Sequence, residues 1–185
     1  LKARGIQAEA LRNFWIELGV TQKDISVPLA TLFSHNTKMI DDEAPRLAFI
    51  RDPVEVQLQG EIPESVGIPV HPNHPEKGMR NISLNPPTIF IESEDANGSY
   101  RLKEFADIGE NGNIESIDRS DKRPIIHWTS LTKSVESNLI IPDQEEVKIV
   151  NGRVESNDQE IGTIVQLERI GYAIIKEDGY LLMHE

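Results

Sequence analysis

Gly162-Thr-Ile-Val-Gln-Leu-Glu-Arg-Ile-Gly-Tyr-Ala-Ile-Ile-Lys-Glu-Asp-Gly-Tyr-Leu-Leu-Met-His184 decides the fold of this chain. In an extended backbone Ile164, Gln166, Glu168 and Ile170 fall on one side, and Val165, Leu167 and Arg169 on the other. Tyr172-Ala-Ile-Ile follows directly after Gly171, and Glu177-Asp-Gly-Tyr180 supplies a tight turn before the last apolar run. The pattern predicts two strands, a glycine bend and a third strand. Strands at this end of a chain need earlier strands to pair with, so the middle of the sequence is expected to close a sheet onto them.

Upstream, short apolar runs separated by turn residues continue back to residue 46. Leu47-Ala-Phe-Ile50 and Val54-Glu-Val-Gln-Leu58 read as strands broken at Asp52-Pro53. Further strands are expected over 88–92, 100–103, 114–118, 124–128 and 147–150, with turns at Asn97-Gly98, Asn111-Gly112 and Asn151-Gly152. The proline-rich stretch from Val66 to Arg80 is expected to be an extended loop, because proline lacks a ladder donor and biases its predecessor away from helix.

Before Pro45 the period changes. Ile6, Ala10, Leu11, Phe14, Trp15 and Leu18 share a helical stripe that Gly19 ends. Thr21-Gln-Lys-Asp24 reads as a cap, and Ser26-Val-Pro28 opens a second helix running to about Asp41. Trp15 and Phe33 are expected in the helical core. The fold class is therefore mainly β with a helical N-terminal segment, residues 1–45 being helical and 46–185 strand-rich.

Composition narrows the function classes. The chain has 185 residues, 38% of them hydrophobic, enough for one or two small β domains. Cysteine is absent, which excludes a disulfide framework and a thiolate zinc site. No apolar run reaches the roughly 20 residues of a membrane span, so a soluble, cytoplasmic protein without a membrane partner is expected. The first residue is Leu1, as expected of a segment of a larger protein. A net charge of −12 opposes broad phosphate-driven nucleic-acid binding, so any RNA contact must use a local basic patch.

Catalytic chemistry is hard to find. His71-Pro-Asn-His74 has the look of a metal pair, but no third ligand clusters with it in the sequence, and no metal is expected. His127 beside Trp128 lacks a marked nucleophile and reads as structural. Glu92, Glu94 and Asp95 read as a solvated charged turn. No glycine-rich phosphate loop is present, and the catalytic residue set is empty.

Several short stretches occur in a telling order: Arg4-Gly-Ile6, Arg12-Asn-Phe14, Asp52-Pro-Val54, His71-Pro-Asn-His-Pro75 with Gly78 and Arg80, Arg101-Leu-Lys103, Ile125-Ile-His-Trp128 and Gln166-Leu-Glu-Arg-Ile-Gly-Tyr172. Together they resemble the landmarks of class I glutamyl-tRNA synthetases of the archaeal and eukaryotic type, a layout that the glutaminyl enzymes share. The resemblance covers essentially the whole chain. It implies the C-terminal part of such an enzyme: a helical region linking to the catalytic domain, then two anticodon-binding β-barrels of the ribosomal L25-like type. The distal barrel is expected at about 85–155, and the proximal one is expected to be closed by strands 161–184. The HIGH-like and KMSKS-like motifs of the family's catalytic half do not occur in the chain; Thr37-Lys-Met-Ile-Asp41 is only superficially similar to the latter and lies on the wrong side of Arg4-Gly-Ile6. A fragment without aminoacylation activity of its own is therefore expected.

The resemblance further implies a glutamate tRNA as partner, with no DNA, and glutamate, ATP and Mg²⁺ as partners of the full-length enzyme through its catalytic domain. No cofactor is implied for this segment. Gln166 matches by motif the glutamine that reads an anticodon base in the glutaminyl relatives. Its alternation with Val165 and Leu167 turns it away from the barrel interior. Arg80, Lys103, Lys122 and Arg123 are the further candidates, as cations flanking the landmarks that could hold phosphates. Trp128 and Tyr172 are expected in barrel cores. Three alternatives stand beside this reading: the equivalent part of a glutaminyl enzyme, a stand-alone L25-like RNA-binding module, and an acidic interaction scaffold. The glutamyl reading is preferred because the chain ends soon after Tyr172.

Overall fold

The computed structural model describes residues 5–19, 29–119, 122–143 and 146–184. Two helices come first, α1 (Ala8–Leu18) and α2 (Leu29–Ile40). Gly19 ends α1 at φ 68°, a conformation that costs glycine little, and its N–H donates to the carbonyls of Trp15 and Ile16. Ile6, Phe14 and Leu32 form a small core between the helices, with Phe33 partly buried at its margin. Trp15 departs from expectation, being 60% exposed. Phe14 and Trp15 are neighbours, hence about 100° apart around the axis, and only Phe14 turns beneath α2. The cap expected at 21–24 and the helix opening at 26–28 lie outside the described residues.

The strands form two units, and the chain passes from the first to the second and back. β1 (Arg46–Leu47) and β2 (Phe49–Arg51) begin the first unit. The second follows: β3 (Pro53–Gln57), β4 (Ser65–Pro69), β5 (Met79–Ser83), β6 (Thr88–Glu92), β7 (Tyr100–Leu102), β8 (Asp107–Ile108), β9 (Ile114–Ser116), β10 (Ile125–Ile126) and β11 (Thr129–Ser130). β12 (Ser134–Asp143), β13 (Glu146–Glu155), β14 (Ile164–Leu167), β15 (Gly171–Lys176) and β16 (Gly179–His184) return to the first unit.

That first unit is a seven-stranded sheet in the order β1-β14-β15-β16-β12-β13-β2. Its two outer strands, β1 and β2, are consecutive in the chain and separated only by Ala48, whose carbonyl accepts the Glu155 N–H at 2.9 Å. The sheet is thereby nearly closed into a barrel. Leu47, Phe49, Leu139, Val154, Val165, Leu167, Ala173, Ile175 and Leu182 fill it. The terminal stretch forms three antiparallel strands, with its first turn at 168–170 and Gly171 opening β15.

The second unit has its own core, including Leu58, Ile68, Ile82, Ile89, Ile91, Leu102, Phe105, Ile108, Ile126 and Trp128. Residues 134–155, expected in the distal barrel, pair with β16 and β2. Their long hairpin carries Leu139 and Val154 inward, and those side chains find their partners in the C-terminal core. The stretch 66–80 is also more regular than expected, because β4 and β5 pair from Ser65↔Ser83 to Pro69↔Met79 around a 3₁₀ turn at Pro75–Lys77. Pro69 sits at the end of a two-stranded pairing, where a missing donor is tolerated. Asn151-Gly152 is not a turn; it lies inside β13.

The helices rest on the outer face of the C-terminal strands. Ile40 and Ala44 pack with Tyr172, Ile174 and Met183. Asn36 is fully buried, its Oδ1 accepting the Gln7 N–H at 2.8 Å and its Nδ2 lying 3.1 Å from His184 Nε2. Phe33 stacks on the His184 ring with centroids 5.0 Å apart.

Gly152 is required for close approach. A Cβ there would lie 2.4 Å from Phe49 Cε1 and 2.5 Å from the Ile50 carbonyl oxygen. Gly152→Ala is expected to destabilise the chain by about 1–3 kcal/mol, the usual cost of overpacking. Urea unfolding checks this, and a change within about 0.5 kcal/mol would contradict the barrel closure described above.

Candidate nucleic-acid interface

The turn after β14 decides what meets at the seam between the two units. Arg169 adopts φ 64°, which ends the strand and sends Glu168 and Arg169 to the second unit. Glu168 is 8% exposed. Its Oε1 accepts from Lys103 Nζ at 2.7 Å and lies 3.5 Å from Arg80 Nη2, while its Oε2 lies 3.3 Å from His127 Nε2. Arg80 Nε is also 3.3 Å from Oε1 of Glu155, a second buried carboxylate. Burial favours the neutral form of Glu168. The Lys103 hydrogen bond and the charges of Arg80, Lys103 and His127 outweigh it and hold the carboxyl below its ordinary value. For Glu155 burial wins over Arg80, and its pKa is raised.

A cavity of about 500 Å³ opens beside this network, and Arg101, Lys103, Arg119, His127 and Arg169 line it. Four of those five are cations. Arg101 is fixed by Asp107 at 2.7 Å and by the Ile117 carbonyl at 3.0 Å, and Arg169 donates to Asp95 Oδ2 at 2.7 Å. The cavity therefore combines held guanidinium groups with that of Arg119, which is exposed. Planar guanidinium forks of this kind suit phosphate and base edges.

The five residues singled out in the sequence fall at three places. Lys103 lines the cavity, and Arg80 is joined to it through Glu168. Arg123 lies on the β8–β9 side of the second unit, donating to the Ile108 carbonyl at 3.1 Å and to Glu115 Oε2 at 2.5 Å, and Lys122 beside it is exposed. Gln166 points away from the barrel interior, between Arg46 on β1 and Tyr172 on β15. It is half-buried rather than free at the surface, and its Oε1 is buried with no partner among the described residues. Arg101, Arg119 and Arg169 are not among these five, and His127 reads from the sequence as structural. Arg101, His127 and Arg169 sit inside the quoted landmarks, but nothing in their spacing marks them as converging.

Two other clusters differ from expectation. Glu92 is no solvated turn residue; it is buried and accepts from Arg51 Nε at 2.7 Å and Nη2 at 3.0 Å. The pair His71 and His74 gains the third group that the sequence did not offer: Asp42, after α2, brings a ligand atom within 4.8 Å of theirs. His74 Nε2 is 3.0 Å from Asp42 Oδ1 and its Nδ1 is 2.8 Å from Glu76 Oε1. Both carboxylates raise the imidazole pKa, Asp42 most. Arg46 Nη2 lies 3.0 Å from His71 Nε2, and Lys77 donates to the Asp42 carbonyl. The arrangement is an ion-pair clasp between the end of α2 and the β4–β5 hairpin.

His127 carries the largest resolved histidine shift. Burial lowers its pKa to about 4 against the opposing pull of Glu168. A histidine depressed in the folded state contributes stability that is present above its ordinary pKa of about 6.5 and lost as pH falls through 4. This contribution is about 3 kcal/mol between pH 7 and pH 4. Urea unfolding of the wild type and His127→Gln at both pH values is expected to give the variant the shallower loss. Equal losses would mean that His127 titrates normally.

Two family models match the chain, both described as the anticodon-binding domain of class I tRNA synthetases (E and Q), one over residues 44–128 and the other over 125–176. Among similar proteins, the glutamate–tRNA ligase of Natronomonas pharaonis is 32% identical, the match covering 95% of this chain and 32% of that protein. That of Pyrococcus abyssi is 34% identical over 95% of this chain and 34% of its own length. The Methanothrix thermoacetophila ligase is 33% identical over 97% of this chain and 33% of its own length. The chain thus spans about a third of the length of the curated relatives it matches. With a mainly β fold, a nearly closed barrel and a basic cavity at the seam, the chain belongs to the anticodon-binding domains of the class I glutamate and glutamine tRNA synthetases, with archaeal glutamate–tRNA ligases as its relatives.

Proposed function

We propose that the chain recognises the anticodon of a glutamate tRNA, and that the basic cavity between the two β units is where the RNA is held. One observation carries this reading: a chain of net charge −12 gathers Arg101, Lys103, Arg119 and Arg169 around a single cavity. Unstacked anticodon bases suit such a site, since held guanidinium groups offer both a stacking face and paired donors. The glutamate assignment is supported by the relatives' names. The two units are taken as barrels of the L25-like type, and the protein as cytoplasmic.

The full-length protein would attach glutamate to its tRNA using ATP and Mg²⁺. The described residues of this chain do not fit those groups, because their glycines lie at turns, strand ends and close approaches, and none cradles a phosphate before a helix. Activation of glutamate is therefore assigned to the remainder of the protein, and this segment alone is expected to catalyse no glutamate-dependent pyrophosphate exchange.

Filter binding of this chain to glutamate tRNA at low and moderate salt tests the reading. Arg119→Ala is expected to weaken binding to every sequence alike and to reduce the salt slope by about 0.7, the loss of one single-strand phosphate contact. Unchanged binding would remove Arg119 from the interface. Gln166→Ala is expected to reduce discrimination between anticodons by about 5- to 100-fold, the worth of one base contact. Equal weakening for cognate and altered anticodons would show that Gln166 reads no base.

A further inference from the structure

His127 offers the basic cavity something that its cations cannot. It follows β10 in the alternation that buries Ile126 and Trp128, at 1% and 3% exposure, in the core of the second unit. Trp128 Nε1–H donates to the Lys103 carbonyl at 3.0 Å, which fixes this segment against β7. His127 is left facing the cavity. Its Nε2 lies 3.3 Å from Glu168 Oε2. An ionised carboxylate only accepts, so its approach favours the tautomer with the ring proton on Nε2 and a bare lone pair on Nδ1. That Nδ1 is buried and has no hydrogen-bond partner among the described residues.

A buried acceptor without a partner is rare and unfavourable in a folded protein, and it gains when a donor arrives. Around it, Arg101, Lys103, Arg119 and Arg169 present donors, and Glu104, which is exposed, brings a carboxylate to the cavity wall. The cations can serve phosphates and base carbonyls. They cannot accept from a base N–H. We propose that His127 Nδ1 accepts a hydrogen bond from a nucleobase edge bearing an imino or exocyclic amine N–H, and so makes the cavity selective for such a base. The inference rests on the reading that this cavity takes RNA. Glu168 acts here as a positioning residue, because its carboxylate sets the tautomer that exposes the lone pair. The depressed pKa of the ring, about 4, keeps Nδ1 unprotonated at neutral pH even among cations. The atom is covered in the free protein, so a base reaches it as lining side chains shift.

The test is a histidine ¹⁵N spectrum of this chain, free and with an RNA hairpin carrying the anticodon arm of a glutamate tRNA. The free chain is expected to show the Nε2–H form of His127, and the hairpin is expected to move its Nδ1 signal to that of a hydrogen-bonded acceptor. Hairpins with single base changes then locate the donor. Removing it should weaken binding to the wild type by about 5- to 100-fold and leave His127→Phe unaffected, as one base contact predicts. A hairpin that binds without moving Nδ1, or one whose base changes affect wild type and His127→Phe equally, overturns the inference and leaves His127 as a brace for Glu168. The spectrum of the wild type decides even where His127→Phe does not fold. Absence of any hairpin binding at low salt overturns the RNA reading itself, and the inference with it.

Discussion

A carboxylate withdrawn from water is costly unless charge and hydrogen bonds replace its solvation, and Glu168 is such a group. Lys103 and His127 reach it from the second β unit, and Arg80 from the β4–β5 hairpin. Removing Lys103 or Arg80 would leave charge uncompensated at the seam, so the network fixes how the two units sit together. Glu155, on the first unit, shares Arg80 and also accepts the Ala48 N–H at the point where the barrel closes. The same set of contacts thus links barrel closure to the alignment of the cavity wall.

Under the proposed function, this arrangement also answers how an acidic chain would hold RNA. Net charge governs long-range, non-specific attraction, whereas recognition of a few unstacked bases depends on local field and geometry. Here two of the three arginines around the cavity are held by individual acidic partners, Arg101 by Asp107 and Arg169 by Asp95. Such pairing lowers their rotational freedom without removing their remaining donors. In the proposed complex the net negative charge of the chain would discourage phosphate contacts elsewhere and so favour one register of the RNA.

The helices are tied to the same seam through polar contacts. Arg46 donates to Asp41 at 2.9 Å, and the buried Tyr172 hydroxyl donates to the same carboxylate. Burial and the neighbouring Asp41 raise the Tyr172 pKa, so the hydroxyl keeps its proton. Arg80 in turn donates to the Arg46 carbonyl. A continuous line of contacts therefore runs from Lys103 at the cavity, through Glu168, Arg80 and Arg46, to the end of α2. Gln166 lies beside that line, between Arg46 and Tyr172.

The sequence by itself determined the local pieces: the two helices, the three terminal strands, the inward phase of Val165 and Leu167, and the family to which the landmarks point. Each depends on periodicity or on short-range turn chemistry, which adjacent residues encode. Tertiary structure decided what those pieces enclose. Gly152 reads as a turn residue until Phe49 and Ile50 are packed against it. Trp15 reads as core until α2 is seen to cover Phe14 alone. Residues 134–155 could have joined either unit, and only the partners of Leu139 and Val154 choose. The cavity was the least legible feature, because Arg101, Arg119, His127 and Arg169 converge from segments up to 68 residues apart. Convergence of that kind is a property of strand pairing and turn geometry, and no local pattern of residue types records it.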